Sequence, residues 1–224
     1  LSKFLKKNFS KIYTDLDVFC SFYDNKSIAI TGSNGKSTTA KILYEVLFDQ
    51  KRDVRLIGNI GNPALSEKKI SKKTLFVIEA SSYQLDYSKI FSSKYAAILN
   101  ISADHIERHK SLANYVNAKF KLLDSQTRQS FAYVKKNDKI ITKRLKKKKF
   151  KPKIYKVDTS SINKTLNQLN NTYFTSEGNK ENLSFVLKIV SKLKLNNTKI
   201  SKTLNSFKGL KYRHQIIFKN KNVT

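Results

Sequence analysis

Residues 27–39 read Ser-Ile-Ala-Ile-Thr-Gly-Ser-Asn-Gly-Lys-Ser-Thr-Thr, and this stretch decides the fold. Its first five residues are mostly apolar and predict a buried strand. A glycine-containing turn follows, and the apolar spacing over 40–48 predicts a helix. In a strand, turn and helix of this kind, the backbone N–H groups of the turn lie at a helix N-terminus, where they bind phosphate oxygens. The stretch therefore predicts a phosphate-binding loop over 32–38.

Two side chains of the turn support that interpretation. Lys36 would neutralise phosphate oxygens, and the hydroxyl of Ser37 would reach a Mg²⁺ ion. The generic loop pattern has a glycine five positions before Gly35, where this sequence has Ile30. On the motif alone, a chance Gly-Lys-Ser turn therefore stays open as the alternative.

Outward from this stretch, apolar runs alternate with helical patterns. We predict strands over 54–57, 75–79, 95–100, 131–134 and 154–157, and helices over 112–124, 182–193 and 200–207. Strands that alternate with helices form a mostly parallel sheet that is covered on both faces. The predicted fold class is therefore α/β, with a mostly parallel sheet flanked by helices.

Composition limits the function classes. The chain has 224 residues, 39% of them hydrophobic, with 6 Gly and 2 Pro, which excludes a collagen-like or wholly disordered chain. Lys and Arg number 45 against 16 acidic residues, a net charge of +29, so a nucleic-acid-binding module is one hypothesis. The lysines are spread along the whole chain, however, as biased codon usage would produce.

One segment, 143–153, is especially basic. Its sequence favours a solvated helix end and loop over an RNA-binding patch.

Cysteine content and the ends of the chain bear on location. Cys20 is the single cysteine, so no internal disulfide forms, and a reducing cytoplasm fits. No apolar run is long enough for a signal peptide core or a membrane span. The chain starts with Leu and contains no Met, so we expect a fragment of a longer protein. We expect it to be monomeric, without membrane insertion or a nucleic-acid partner.

Two polar side chains follow buried strands of the predicted sheet. Glu79 ends the strand over 75–79, and Asn100 ends the strand over 95–100. The carboxyl ends of parallel strands meet at one edge, where the phosphate loop also lies. A carboxylate there would complete a Mg²⁺ shell begun by substrate phosphates and the loop hydroxyl. An exposed charge at a strand end is the alternative for Glu79.

A histidine follows the second of these strands. His105 lies in Asp-His-Ile-Glu-Arg-His over 104–109. A neutral imidazole nitrogen can ligate a metal ion, whereas a loop histidine can also be simply solvated. Position alone leaves both interpretations of His105 open.

A lysine interrupts an apolar helix face. Leu112, Tyr115, Val116, Lys119 and Leu123 follow helical spacing and share one face. Burial of an unpaired ammonium lowers its pKa, which raises the neutral fraction that can take up CO₂ as a carbamate, a negatively charged metal ligand. A lysine whose ammonium reaches the surface is the alternative.

Four stretches together carry a resemblance. They read Ile-Thr-Gly-Ser-Asn-Gly-Lys-Ser-Thr over 30–38, Gly-Asn-Ile-Gly-Asn-Pro-Ala-Leu over 58–65, Glu-Ala-Ser-Ser-Tyr-Gln-Leu over 79–85, and Leu-Asn-Ile-Ser-Ala-Asp-His over 99–105 with Arg-His at 108–109. In order and spacing they resemble the Mur ligase family. The second and third stretches are similar to the branch that joins D-glutamate to UDP-N-acetylmuramoyl-L-alanine.

The resemblance implies a P-loop ATPase domain, as in the central domain of that family, and an ATP-dependent amide ligase of peptidoglycan precursor synthesis. ATP would phosphorylate the terminal carboxylate of UDP-N-acetylmuramoyl-L-alanine, and the amine of D-glutamate would attack the acyl phosphate. Another Mur-type amide ligase or a folylpolyglutamate synthase-like enzyme is the alternative. A basic nucleic-acid-binding module is a remote one.

The resemblance also assigns residues to ATP. Lys36 would hold the β and γ phosphates, and the adenine side would meet two asparagines of 178–182. Where the family usually has His-Asn, this chain has Gly-Asn at 178–179, and its stretch 209–214 resembles the family's hinge. The implied ATP-binding set is Gly32, Ser33, Asn34, Gly35, Lys36, Ser37, Thr38, Asn179, Asn182 and Arg213.

Metal and substrate assignments follow from the same resemblance. Ser37 and Glu79 would bind one Mg²⁺ ion, and His105 and carbamylated Lys119 would serve a second near the acyl phosphate. The implied catalytic set is Lys36, Glu79, His105 and Lys119, and the implied residues on the muramoyl side are Asn59, Ser81 and Gln84.

The resemblance divides the chain into three parts. Residues 1–24 would be the remnant of an N-terminal uridine-binding domain and its linker, and residues 25–209 the central ATP-binding domain. Residues 210–224 would be the hinge and the start of a missing C-terminal domain that binds D-glutamate. We therefore expect the isolated chain to be inactive as a ligase.

Overall fold

The computed structural model describes residues 3–210. Within that range a single six-stranded sheet forms the centre of the fold. Its strands are β1 (Ser27–Thr31), β2 (Val54–Gly58), β3 (Leu75–Glu79), β4 (Tyr95–Ile98), β5 (Phe131–Lys135) and β6 (Lys153–Val157).

Helices precede, connect and follow the strands. Two of them, α1 (Lys3–Lys7) and α2 (Asp15–Phe22), come before the sheet. The others are α3 (Lys36–Asp49), α4 (Ser82–Tyr87), α5 (Ile106–His109), α6 (Leu112–Asp124), α7 (Lys139–Lys147), α8 (Asn163–Gln168), α9 (Glu177–Val190) and α10 (Asn197–Ser206).

The strand order is β2-β3-β1-β4-β5-β6, and each neighbouring pair is parallel. Ile30 pairs with Glu79 of β3 on one side and with Ala97 of β4 on the other. The carboxyl ends of these three central strands therefore lie side by side. The turn after β1 and the segments after β3 and β4 meet at this edge, as expected of a parallel sheet.

The hydrophobic core lies on both faces of the sheet. Ile28 and Ile30 point to a face covered by α3, α9 and α10, and Ala29 points to the opposite face, covered by α2, α4 and α6. All five residues of β1 are buried, because a central parallel strand is covered on both sides. The predicted α/β class with helices on both faces is confirmed.

Several predicted elements differ in their bounds. The strand expected to end at Asn100 stops at Ile98, so Asn100 lies in the segment beyond it. Helix α9 begins at Glu177 and α10 at Asn197, earlier than their apolar residues indicate, because Ser176 and Asn196 cap them.

The basic segment 143–153 forms the end of α7, a loop and the first residue of β6. This agrees with the predicted solvated helix end and loop. Leu112, assigned to the apolar face of α6, is 37% exposed, since it is the first residue of the helix and lies past the edge of the core. In the part of the chain that the structure describes, no helix has the length and apolar character needed to cross a bilayer.

Candidate active site

The loop predicted to bind phosphate connects β1 to α3. Gly35 adopts a left-handed conformation (φ 82°) as the residue before the helix. A Cβ atom on it would collide with Oδ1 of Asn182, so the backbone conformation and the available space both favour glycine there. No side chain caps α3, which leaves the first N–H groups of a 14-residue helix facing the loop. Such groups attract anions.

Neighbouring segments hold the loop in place. The backbone N–H of Ser33 donates to the carbonyl of Asn100 (3.0 Å), and that of Asn34 donates to Asn100 Oδ1 (2.9 Å). Ser33 Oγ lies 3.0 Å from the hydroxyl of Tyr115 and accepts from the N–H of Ser102 at 3.0 Å. The loop is therefore preformed by contacts with α6 and with the segment after β4.

Two lysines converge on this loop. Lys36 Nζ donates to the carbonyls of Gly32 (2.9 Å) and Ser33 (2.8 Å). Lys119 Nζ donates to the same Gly32 oxygen at 2.8 Å and lies 4.5 Å from the centre of the Tyr115 ring. The carbonyl of Gly32 thus accepts hydrogen bonds from both side chains.

Lys119 is buried, not extended to the surface. Its side chain is 1% exposed, so the alternative of a surface-reaching lysine is wrong. Burial is the largest cause that lowers the pKa of Lys119 to about 7, and the ammonium of Lys36 adds to it. The carboxylates of Asp104 and Glu79 act in the opposite direction. Near neutral pH a substantial fraction of this amine is therefore uncharged.

Glu79 is also buried (1% exposed), so the alternative of an exposed strand-end charge is wrong. Its Oε1 accepts a hydrogen bond from Asn59 Nδ2 at 2.9 Å. Its Oε2 is buried and has no hydrogen-bond partner among residues 3–210. A buried carboxylate oxygen without a partner fits the oxygen shell that Mg²⁺ prefers. Ser37, the other predicted ligand of that ion, is buried at the start of α3.

His105 lies at the rim of the same edge. Its side chain is 43% exposed, and Nε2 lies 3.5 Å from Oδ2 of Asp104. Its ring is 5.1 Å from that of Tyr83 and 6.4 Å from that of Tyr115, which also contacts Lys119. Residues 3–210 hold no group of three or more His, Cys, Asp or Glu side chains suited to a metal ion. The metal-ligand role of His105 stays a prediction.

The residues predicted for the muramoyl side surround the start of α4. Ser81 caps this helix: Gln84 N donates to Ser81 Oγ (3.2 Å), and Ser81 N donates to Gln84 Oε1 (3.1 Å). Gln84 Nε2 donates to both carboxylate oxygens of Asp15. Asn59 follows β2 and is held by Glu79. Hydrogen bonds within the chain therefore fix all three predicted side chains.

On the other side of the loop is a cavity of about 840 Å³. Asn179 and Asn182 of α9 line it together with Gly35. Asn182 accepts from Thr39 Oγ1 (3.2 Å), and Asn179 Nδ2 donates to the carbonyl of Tyr173 (2.8 Å). The structure brings the two predicted adenine-side asparagines to the phosphate loop. Arg213, predicted to contact the nucleotide, lies outside the described residues, as do all others of 211–224.

Comparison with known proteins decides the family. The sequence profile of the Mur ligase middle domain matches residues 30–203, which is more than half of the chain. The chain belongs to the Mur ligase family. The match spans the strands, the loop and the helices that form the site.

Individual relatives agree with this Mur ligase assignment. A UDP-N-acetylmuramoylalanine--D-glutamate ligase of Rickettsia bellii (strain RML369-C) is 32% identical over an alignment of 237 residues, which covers 95% of this chain and 52% of the relative. The chain spans about half the length of the curated relatives it matches.

Two solved structures show the same fold. MurF from Acinetobacter baumannii superposes with a TM-score of 0.68 at 18% identity, over 93% of this chain and 51% of that one. The MurF ligase from Thermotoga maritima in complex with ADP gives a TM-score of 0.58 at 14% identity, over 94% of this chain and 54% of that one.

Sequence reasoning missed some side chains of this Mur ligase site. The carboxylate of Asp104 favours the charged form of Lys119. Its position directly before His105 in the sequence could have indicated that Asp104 belongs to the site. Helix spacing places Tyr115 on the same face of α6, four residues before Lys119, but does not by itself assign it to the site. Glu181 accepts from Asn100 Nδ2 (2.8 Å) and from Lys135 (2.5 Å), and no sequence signal points to this contact between separate segments.

Proposed function

We propose that this chain is the ATP-binding part of an ATP-dependent ligase that joins D-glutamate to UDP-N-acetylmuramoyl-L-alanine in cytoplasmic peptidoglycan precursor synthesis. One observation carries the proposal. Lys36 and the buried Lys119 both donate to the carbonyl of Gly32, and the buried carboxylate of Glu79, one oxygen of which has no partner among residues 3–210, acts on the charge of Lys119. The names of the curated relatives support the substrate pair.

The loop and the cavity bind ATP in this proposal. The first N–H groups of α3 and the ammonium of Lys36 hold the phosphates, and Asn179 and Asn182 meet the adenine side of the 840 Å³ cavity. The remainder of the ATP-binding set is Gly32, Ser33, Asn34, Gly35, Ser37, Thr38 and, outside the described residues, Arg213. ADP in the structure of the Thermotoga maritima relative is consistent with this site.

Metal binding fits the residues present. Ser37 and Glu79 would hold one Mg²⁺ ion, because a hydroxyl and an unpartnered carboxylate oxygen suit a hard cation. His105 and Lys119 would serve a second ion. When bound, the ions would neutralise phosphate charge during transfer.

Lys119 acts as a carbamate in this proposal. Its uncharged nitrogen would attack the carbon of CO₂, so that a C–N bond forms and the electron pair of one C=O π bond moves to oxygen. The nitrogen would then lose one proton to solvent, which leaves a carbamate with one negative charge. The lowered pKa of Lys119 supplies the uncharged amine near neutral pH.

The reaction then proceeds in two steps. A carboxylate oxygen of the L-alanine attacks the γ phosphorus of ATP, the bond from that phosphorus to the β-γ bridging oxygen breaks, and ADP leaves. The amine of D-glutamate attacks the acyl carbon, phosphate leaves, the nitrogen loses a proton, and an amide remains. Lys36 stabilises the charge on the transferred phosphoryl group, and Ser81, Gln84 and Asn59 orient the muramoyl substrate.

The test uses the complete encoded protein with ATP, UDP-N-acetylmuramoyl-L-alanine and D-glutamate. We expect an amide product with stoichiometric ADP and phosphate, and none with Lys36→Ala. L-alanine or diaminopimelate in place of D-glutamate should give no product. If product formed with L-alanine or diaminopimelate but not with D-glutamate, the chain would belong to another branch of the Mur ligases. No amide with any amino acid would refute the ligase, and salt-sensitive nucleic-acid binding that Lys36→Ala leaves intact would then favour the nucleic-acid-binding module.

A further inference from the structure

A carboxylate outside the predicted site holds one of the proposed substrate residues. Gln84 Nε2 donates to Asp15 Oδ1 (3.0 Å) and Oδ2 (3.2 Å), although 69 residues separate the two in sequence. Asp15 is the first residue of α2, in the segment that precedes the sheet. This contact joins α2 to the start of α4.

The amide of Gln84 has only one orientation consistent with its partners. Its Oε1 accepts from both the N–H and the hydroxyl of Ser81 (3.1 Å each). A flipped amide would point NH₂ at the N–H of Ser81 and the carbonyl oxygen at the carboxylate of Asp15, which are two repulsive contacts. Asp15 therefore determines which end of the amide faces Ser81.

One N–H of Gln84 remains for another acceptor. Seen from Nε2, the two carboxylate oxygens of Asp15 lie much closer together in direction than the two N–H bonds of the amide do. Both oxygens therefore accept from the same N–H, and the other N–H points elsewhere. No other acceptor for Nε2 is found among residues 3–210. Because Asp15 is charged, it also makes this hydrogen bond stronger than a neutral one.

A second carboxylate of the same helix fixes the other end of α4. Asp17 is fully buried and accepts from Ser88 Oγ (2.8 Å) and from the N–H groups of Ile90 (2.9 Å) and Phe91 (2.8 Å). Burial raises the pKa of this carboxyl, but the hydrogen bonds from Thr14, Ile90, Phe91 and Ser88 lower it below its usual value. Helix α2 thus contacts α4 at both ends, and Asp15 is the contact on the side of Ser81.

We propose that Asp15 is a positioning residue for substrate binding: it fixes the amide of Gln84 so that the second N–H binds the muramoyl substrate. The inference rests on the proposed function, because that function assigns Ser81 and Gln84 to the substrate. It adds that the position of α2 controls the substrate side of the site, while the ATP side depends on α3 and α9.

The experiment measures KM for both substrates in the complete encoded protein. In Asp15→Ala we expect KM for UDP-N-acetylmuramoyl-L-alanine to rise about tenfold, the size of one hydrogen bond to a charged group, and KM for ATP to stay within about twofold. The matched control is Asp24→Ala, which removes an exposed carboxylate after α2 and should change neither KM. In a Gln84→Ala background, Asp15→Ala should have no further effect on KM.

A paired exchange separates positioning from folding. Gln84→Glu alone sets two carboxylates against each other and should lower the melting temperature. Adding Asp15→Asn restores a hydrogen bond in which residue 15 donates and residue 84 accepts, and it should restore the melting temperature. It should not restore KM, because the side chain at position 84 then carries no N–H.

Each outcome decides between the hypotheses. An unchanged KM for the muramoyl substrate in Asp15→Ala, equal rises of both KM values, or recovery of KM in the exchanged pair would overturn the role of Asp15 alone. Absence of any amide product from the unmutated protein would instead overturn the proposed function, and the inference with it.

Discussion

The buried amine of Lys119 should give the stability of this chain a characteristic pH dependence, which Lys119→Met removes. Methionine keeps the length and apolar stem of the side chain but does not titrate. Burial, and next to it the ammonium of Lys36, lowers the pKa of Lys119 in the folded chain to about 7, against 10.5 for an ordinary lysine. The variant therefore isolates the contribution of one proton.

The sign follows from proton binding. Between pH 7 and 10.5 the unfolded chain holds a proton on Lys119 that the folded chain has lost, so the free energy of unfolding rises with pH in that window. One pKa unit corresponds to about 1.4 kcal/mol. From about pH 7 to about pH 9, the free energy of unfolding of the unmutated chain should therefore rise by about 2 kcal/mol relative to that of Lys119→Met. Below pH 7 both states are protonated and the difference stays constant.

The assay is urea unfolding followed by circular dichroism, at pH values from about 6 to about 9, in buffer free of metal ions and CO₂. The measured quantity is the free energy of unfolding of the unmutated chain minus that of Lys119→Met. Groups that titrate in this range and are not coupled to Lys119 cancel in the difference. Parallel curves for the two chains would refute the lowered pKa of Lys119.

Three further predictions concern the site. Gly35→Ala should weaken ATP binding about tenfold in calorimetry, because φ is positive and the new Cβ would meet Asn182, whereas Glu45→Ala, in the middle of α3 and outside the lining of the cavity, should not. Equal affinities would contradict the loop geometry. Glu79→Gln should weaken Mg²⁺-ATP binding about tenfold and leave metal-free ATP binding unchanged; equal losses would argue against a metal ligand. Lys119→Ala should abolish ligation by the complete protein, with partial recovery in excess bicarbonate or formate, and full activity without them would exclude the carbamate.

Much of the fold could be predicted because its signals are local. The apolar strands, the glycine turn after β1 and the alternation of strands with helices are readable within short windows. They place Glu79 and the loop at one edge, since parallel strands share the direction of their carboxyl ends. Helix spacing likewise put Lys119 among buried residues of α6.

The rest depends on contacts between distant segments. Asn182 reaches Thr39 across 143 residues, and Glu181 reaches Asn100 across 81. No periodicity within one segment reports such pairs. The same holds for Asp15 and Gln84: an acidic residue at a helix start accepts a hydrogen bond from a glutamine that is predicted to face the substrate.

The choice of lysine at position 119 has a physical reason. Lys36 and Lys119 donate to one carbonyl oxygen, so the ammonium of Lys36 lies close to the buried Lys119 and disfavours its charge. An arginine at 119 would keep its charge there, because its pKa lies above 12. Lysine can lose its proton near neutral pH, and only an uncharged amine bonds to CO₂. Burial and the repulsion from Lys36 therefore act in the same direction: both favour the uncharged amine of Lys119, which lies beside the loop after β1.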